Sequence, residues 1–483
     1  MRRSAIALAV FTLVLAGCML GPDYQRPSID APGVFRFEDK AAKDLANTGW
    51  WEQIKDPVLN DLIRTALAEN KDVKIAAARL EEYLGKYGVS RSQLFPQVGA
   101  NANGSRNRAT QSAVPAALPP DVDPQYTNIQ ATLYASWEID VWGKIRRLNE
   151  AARADLLATE EGRRATILTL VASVASAYIN LRDLDRQLEI AKATTASRAE
   201  SVKVFQLRFS GGVVSQMELA QNQSEYEAAA ATIPQIESQI AQQENALSVL
   251  LGRNPGPIKR GLEIGQLALP AVPAGLPSEL LTRRPDLRQS EQNLIAANAR
   301  IGAARALYFP TISLTGLLGG VSTQLASLFS GSARVWSYAA DATMPIFTAG
   351  GIAGLVQQAE AQQQQALLQY QKAIQNAFRE TEDALVSNQK SRDQLAVQGR
   401  QVEALRTYTK LARLRYDNGY TSYIEVLDAE RSLFNAEVSY TQTHGAVFGS
   451  LVNLYKAMGG GWVVEAEHLT AAEPSGNASA GEK

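Results

Sequence analysis

The chain has one cysteine and two histidines in 483 residues. A single thiol excludes a disulfide framework within the chain. His444 and His468 stand alone, with no metal-ligand spacing around them. No phosphate-binding glycine loop and no G-x-S-x-G turn occurs. Glu380, Glu382 and Asp383 lie in a stretch too repetitive to single out a catalytic pair. These absences argue against an enzyme, a cofactor and a metal site. Neither sign of charge is in surplus: 48 basic and 49 acidic residues leave −1, which argues against nucleic-acid binding. Beyond the first twenty residues there is no run of 18 or more apolar residues. No transmembrane helix is expected, so any spanning falls to strands of a closed barrel. Proline is missing from Gln125 to Ile233 and again from Ile346 to Glu473.

The cysteine sits at the end of the one strongly apolar run. Arg2 and Arg3 precede Ala5 to Ala16, too short to span a bilayer and suited to a signal-peptide core. "LAGC", Leu15 to Cys18, looks like a bacterial lipobox, cut before Cys18 and acylated on its thiol. Residues 1–17 are then a leader, and several acyl chains on Cys18 tether the amino end to a membrane. Met19 rather than aspartate follows Cys18, which favours outer-membrane delivery by analogy with lipoprotein sorting.

What is present is present twice. "RFSGGVVSQMELAQNQ" from Arg208 aligns with "RYDNGYTSYIEVLDAE" from Arg415 at a shift of 207, pairing Gly212 with Gly419, Ser215 with Ser422 and Glu218 with Glu425. "RSQLFPQV" from Arg91 matches "RALYFPTI" from Arg305 at a shift of 214. "VWGKI" from Val141 falls on "TAGGI" from Thr348, again at 207. After a lipidated amino-terminal segment (18–60), two repeats follow, 61–270 and 271–462. A tail rich in small and polar residues, 463–483, reads as disordered.

Each repeat reads as helix, strand, strand, very long helix, tight turn, helix. The first has a helix over 61–94, strands over 97–108 and 126–139, then helices over 143–209 and 214–251. The second has a helix over 278–308, strands over 311–321 and 334–347, then helices over 350–417 and 421–458. Ile129, Ala131, Leu133, Ala135, Trp137 and Ile139 alternate with largely polar neighbours, the period of a strand with one wet face. Strands of this length suit a tilted membrane span or a soluble sandwich. The long helices, on the order of 100 Å each, carry apolar residues near a 3.5-residue period; a coiled-coil stalk is the competing reading. Gly211-Gly212 and Asn418-Gly419 supply the left-handed turns at their ends.

Four strands cannot close, and an open edge is forbidden in lipid. Two copies give eight strands, a barrel largely filled by side chains; three give twelve, with room for a wet lumen. The expected fold is mainly α with membrane β: a trimeric twelve-stranded β-barrel, four strands per chain, continued by a long α-helical barrel.

At this point the sequence resembles the TolC-type outer-membrane efflux proteins, in the NodT-like lipoprotein branch. The resemblance rests on "LAGC", "GPDYQRP" from Gly21, "WWEQIKDPVLNDLI" from Trp50 and "SWEIDVWGKIRR" from Ser136. It continues through "LPSELLTRRPDLRQSEQNLIAANARIGAARALYFPTISL" from Leu276, "GYTSYIEVLDAERSLF" from Gly419 and "LYKAMGGGW" from Leu454. It implies a homotrimeric exit duct, a periplasmic adaptor protein and an inner-membrane resistance-nodulation-division pump that supplies the energy. It also implies an equatorial region, placed at 22–51, 255–278 and the tail after Met458. The family closes its periplasmic end by constricting the helix tips. On this chain the gate candidates are Asp417, Tyr420 and Thr421, with Arg413 and Arg415 as ion-pair partners. Some relatives carry aspartate two residues after the tip glycine; here Thr421 stands there, which puts an acidic ring at that level in doubt. The matched turns, Arg208, Gly212, Ser215 and Arg415, Gly419, Ser422, are the candidate adaptor-docking surface.

Overall fold

The computed structural model describes residues 19–29, 32, 34–37, 49–108, 125–272, 277–459 and 463. The leader, Cys18, the loop 109–124 and the tail from 464 lie outside the described residues. Seven helices and four strands matter for function: α1 (Pro57–Glu69), α2 (Lys71–Ser92), β1 (Gln97–Arg108), β2 (Gln125–Ile139), α3 (Lys144–Ser210), α4 (Gln216–Leu250), α5 (Pro285–Ala306), β3 (Thr311–Ser322), β4 (Arg334–Thr343), α6 (Gly351–Asp417) and α7 (Tyr423–Ala457). The repeat is metrically close: α3 and α6 have 67 residues each, α4 and α7 have 35 each.

Several boundaries differ from the sequence expectation. The helix expected over 61–94 is two helices, broken at Asn70. The Asn70 side chain accepts from Asp72 and Val73 N–H at 2.8 and 3.2 Å and so starts α2. The helix expected over 278–308 is also split. A single turn, Leu280–Arg283, stops at Arg284, held extended at ψ 120° before Pro285. The last strand ends at Thr343, four residues short of 347. Thr343 pairs with Thr311, the first residue of β3, and Pro345 has no N–H to carry a ladder further.

The chain divides into two compact units. The first comprises Met1–Ser28, Leu80–Thr159 and Ser290–Tyr370. It holds one antiparallel sheet in the order β1-β2-β3-β4. Ala151 and Ala154 of α3 pack on Ala296 and Ala299 of α5, small side chains that let two helices approach closely. Trp142, at the strand-to-helix junction, donates its indole N–H to the Pro310 carbonyl at 2.8 Å and stacks near Phe309.

The second unit comprises Ile29–Arg79, Glu160–Gln289 and Gln371–Lys483 and carries the main core. Trp50 stacks on Tyr455 at 5.1 Å. One stretch of α3 is long and apolar enough to cross a membrane by composition. Its Ile167, Val171, Val174, Tyr178 and Leu181 are instead buried in this core. At its centre Asp56 is fully buried and caps α1, accepting from Val58 N–H at 2.8 Å. The same carboxylate accepts the Tyr178 hydroxyl at 2.7 Å and Leu262 N–H at 3.1 Å, and Tyr178 in turn accepts Gly261 N–H at 2.9 Å. Burial and the adjacent Asp56 carboxylate push the Tyr178 phenol up. Gly261 must lack a side chain, because a Cβ there would stand 2.2 Å from Asp56 Oδ1.

Asp183 of α3 is a buried carboxylate packed against Gly445 of α7. It accepts only the Gln187 amide, at 2.9 Å, and its Oδ1 has no partner. Burial raises its pKa from 3.8 to about 6. A carboxyl raised on folding costs nothing below its unfolded pKa, and the cost grows until pH passes the folded value. Asp183→Asn is therefore expected to raise stability by about 2–3 kcal/mol above pH 6 and to change little below pH 4. Thermal melts across that pH range test this; a gain independent of pH would refute the assignment to ionisation.

Candidate functional site

The sheet register sorts residues by chemistry. Directly opposed residues share a face. One row runs Ala100, Leu133, Leu318, Trp336; the next on that face runs Val98, Ala135, Gly316, Tyr338. The intervening face carries Gln97, Ser136 and Thr315 in one row, Asn103 with Gln130 in another, and Glu138, Ser313 and Asp341 in a third. Val98, Leu133, Leu318, Trp336 and Tyr338 are exposed in the single chain, the last two at 67% and 81%. The rings of Trp336 and Tyr338 stack at 5.8 Å. A broad apolar face open on one side of a sheet is not a solvent face. β1 and β4 are both edge strands, so two rows of backbone donors and acceptors stand without a strand partner among the described residues.

The second candidate site is the pair of helix tips, both within the second unit. Each long helix ends in the same motif. Val213 N–H bonds to the Arg208 carbonyl at 2.8 Å and Gly212 N–H to that of Phe209 at 2.9 Å. Tyr420 N–H bonds to Arg415 and Gly419 N–H to Tyr416, both at 2.9 Å. Gly212 and Gly419 have φ of +70° and +77°, the left-handed conformation such a cap requires.

The helices that follow start differently. Ser215 and Glu218 form a reciprocal capping box: Glu218 N–H donates to the Ser215 hydroxyl and Ser215 N–H to the Glu218 carboxylate. Ser422 makes no side-chain cap. Its partner in the motif, Glu425, instead accepts Arg415 Nη1 at 2.9 Å and the Thr421 hydroxyl. Of the residues singled out in the sequence, Arg415 and Thr421 thus meet on Glu425, tying the end of α6 to the start of α7. Arg413 lies 3.8 Å from both Asp417 and Glu430. Tyr420 is 77% exposed. Arg208 leaves its own turn and donates to the Tyr416 hydroxyl at 2.8 Å, over the rings of Phe205 and Tyr416.

Sequence reasoning missed the aromatic cluster that this arginine covers. Phe205, Tyr416 and Tyr423 meet with centroids 4.2 Å apart for Phe205–Tyr423 and 4.9 Å for Tyr416–Tyr423. It also missed Glu425 as a partner, although Glu218 and Glu425 stand at matching positions of the repeat. Burial raises the Glu430 pKa against the opposing pull of Arg413 and Arg198.

A two-faced sheet with open edges, long helices capped by paired glycine turns, and an internal duplication also mark a known family. The family described as outer membrane efflux protein matches residues 62–253 and 276–460. The chain belongs to that family. The toluene efflux pump outer membrane protein TtgC of Pseudomonas putida is 37% identical over 473 residues, 96% of each chain. The cation efflux system protein CusC of Escherichia coli is 36% identical over 457 residues, 93% of this chain and 97% of its own. Among solved structures, the CmeC outer membrane channel of Campylobacter jejuni superposes with a TM-score of 0.88 at 26% identity, over 94% of this chain and 98% of that one. The protein is thus an outer-membrane efflux duct of a Gram-negative bacterium, built as a β-barrel with a helical barrel that extends into the periplasm. The family is one of channels, not of enzymes.

Proposed function

We propose that three copies close one twelve-stranded barrel and form the exit duct of a tripartite pump. An inner-membrane resistance-nodulation-division pump supplies energy, a periplasmic adaptor bridges, and Cys18 carries a lipid anchor. The reading is carried by the sheet: the rows Ala100–Leu133–Leu318–Trp336 and Val98–Ala135–Gly316–Tyr338 make an apolar band on one face across all four strands, while β1 and β4 are both edge strands among the described residues. In lipid those edges require a partner, and twelve strands leave a lumen for the polar face. Nothing in this duct performs a catalytic step, and it needs no cofactor beyond the lipid. Cargo choice sits in the pump, since relatives named for toluene and for cations match this chain almost equally well.

The helix tips are the gate in this reading. The Arg415–Glu425–Thr421 link closes the α6–α7 turn, Tyr420 projects from it, and Arg413 stands 3.8 Å from Asp417. The docking surface for the adaptor comprises Arg208, Gly212 and Ser215 with Arg415, Gly419 and Ser422. Planar-bilayer recording of the purified protein tests both halves of the proposal. Wild type is expected to show a small, steady conductance and a cross-linked mass of three chains. Arg415→Ala is expected to raise conductance severalfold by releasing Glu425. Asp417→Ala should change it little, because Arg413, its nearest cation among the described residues, is 3.8 Å away on an exposed surface. A verified membrane-inserted trimer that never conducts would exclude the duct. Strong wild-type conductance, indifferent to Arg415, would keep the duct and remove the gate.

A further inference from the structure

The first described residues are held in a socket. Leu20 N–H donates to the Trp142 carbonyl at 3.2 Å. The Arg147 guanidinium, 2% exposed, donates to the Leu20 carbonyl at 3.1 Å, to the Gly21 carbonyl at 3.4 Å and to the Asp23 carboxylate at 2.7 Å. Glu150 takes a further Arg147 N–H at 2.8 Å. Asn298 of α5 donates its amide to the Pro22 carbonyl at 2.9 Å. Gly21, at φ +90°, crosses Gly302 of α5 so closely that a Cβ on Gly21 would stand 2.4 Å from the Gly302 Cα. A Cβ on Gly302 would stand 2.4 Å from the Leu20 carbonyl oxygen. Met19 lies against Gly143, the last residue before α3.

The duplication supplies an internal control. The shift of 207 carries Trp142 to Ala349, Gly143 to Gly350 and Arg147 to Gly354. The shift of 214 carries Asn298 to Leu84 and Gly302 to Gly88. Gly88, Gly350 and Gly354 have nothing within 4 Å of an added Cβ. Both halves make the strand pair, the long helix and the glycine-capped tip. Only one of the two junctions, the start of α3 against α5, has the arginine, the amide and the occupied glycine. A strand-to-helix junction can therefore be built without them, and their presence here follows the segment they hold. Burying a guanidinium is costly unless its donors find acceptors, and here residues 20–23 provide three of them and Glu150 a fourth.

We propose that Arg147, Asn298 and Gly302 form a docking site for the chain's own anchor segment, fixing residues 19–23 to the foot of the four-stranded sheet. The proposal rests on the lipidation of Cys18 stated above. An acyl anchor one peptide bond upstream of Met19 then restrains the β2–α3 junction itself, instead of trailing on a loose leash. Arg147 is a positioning residue: it acts through the backbone it grips.

The test is amide hydrogen exchange on the full-length protein purified from membranes, with the mass of the amino-terminal peptide read in the same experiment. In wild type the Leu20 amide should be protected and the peptide should carry acyl mass. Arg147→Met removes the donors, and Gly302→Ala blocks the close crossing. Each should speed exchange at Leu20 by at least about tenfold, with acyl mass retained. Gly88→Ala and Gly354→Ala, at the repeat-matched positions of the other junction, should leave Leu20 unchanged. Should Arg147→Met fail to fold, Gly302→Ala and the milder Asp23→Asn carry the test alone. Acylated protein whose Leu20 stays protected in these variants overturns the socket and leaves the lipidation reading intact. Absence of acyl mass in wild type overturns the lipidation reading, and the anchoring role with it.

Discussion

Arginine in place of Leu133 is expected to cost about 2–4 kcal/mol in the membrane-inserted state. Arginine in place of Asn101 is expected to insert normally and to shift single-channel selectivity toward anions. The two sites occupy neighbouring rows of the sheet: Leu133 opposes Ala100, and Asn101 opposes Thr132. Depth and side chain are thus nearly constant, and only the face changes. Leu133 shares its row with Leu318 and Trp336, where a guanidinium meets hydrocarbon. Asn101 shares its face with Asn103 and Gln130, where a charge meets the wet lumen. Folding into phosphatidylcholine vesicles, scored by heat-modifiable mobility on gels, measures the first effect; reversal potentials in salt gradients measure the second. Equal insertion of the two variants would falsify the assignment of faces.

The second large effect is at Asp56. Asp56→Ala removes a helix cap and leaves the Tyr178 hydroxyl and the Leu262 N–H without their acceptor in the core. A lost cap costs about 1 kcal/mol, and each buried polar group left unpaired about 1–3 kcal/mol. The expected loss is on the order of 4 kcal/mol, among the larger single-residue effects. Asp56→Asn keeps one acceptor oxygen and should lose less than half of that. Gly261→Ala should approach the alanine result by a different route, since its Cβ would collide with the carboxylate. Chemical denaturation of the detergent-solubilised protein ranks the three. A small effect of Asp56→Ala would mean that the core repacks around the loss.

Much of this architecture is legible in the sequence because its signals are local. Gly212 and Gly419 announce left-handed caps at a fixed shift, and both caps form with the same two hydrogen bonds. The period of two in β2 and β3 marks their faces. What the sequence hides is chemistry that depends on distant partners. Asn70 breaks a helix whose pattern runs on, because its amide also bonds the Leu250 carbonyl, 180 residues away. The break at Arg284 had a local sign in Pro285, but the apolar pattern across it reads as continuous. Arg284 itself is held by Asp286, Glu380 and the Ala457 carbonyl. At the tips, Glu218 and Glu425 look equivalent in sequence. One caps its helix and the other is drawn to Arg415, a divergence set by neighbours rather than by the motif.

The equal lengths of α3 and α6, and of α4 and α7, bear on how such a duct can change size. Length is stored twice in this chain. The Phe205–Tyr416–Tyr423 cluster under Arg208 joins the end of one copy to the end of the other. Deleting one helical turn, about 5.4 Å, from one hairpin alone would draw Phe205 and Arg208 away from Tyr416 by the full rise. A shorter or longer conduit therefore requires matched deletions or insertions in both halves, on both the outgoing and the returning helix. Single edits are trapped between two copies of the same ruler, so the reach of the conduit is far harder to alter than its sequence.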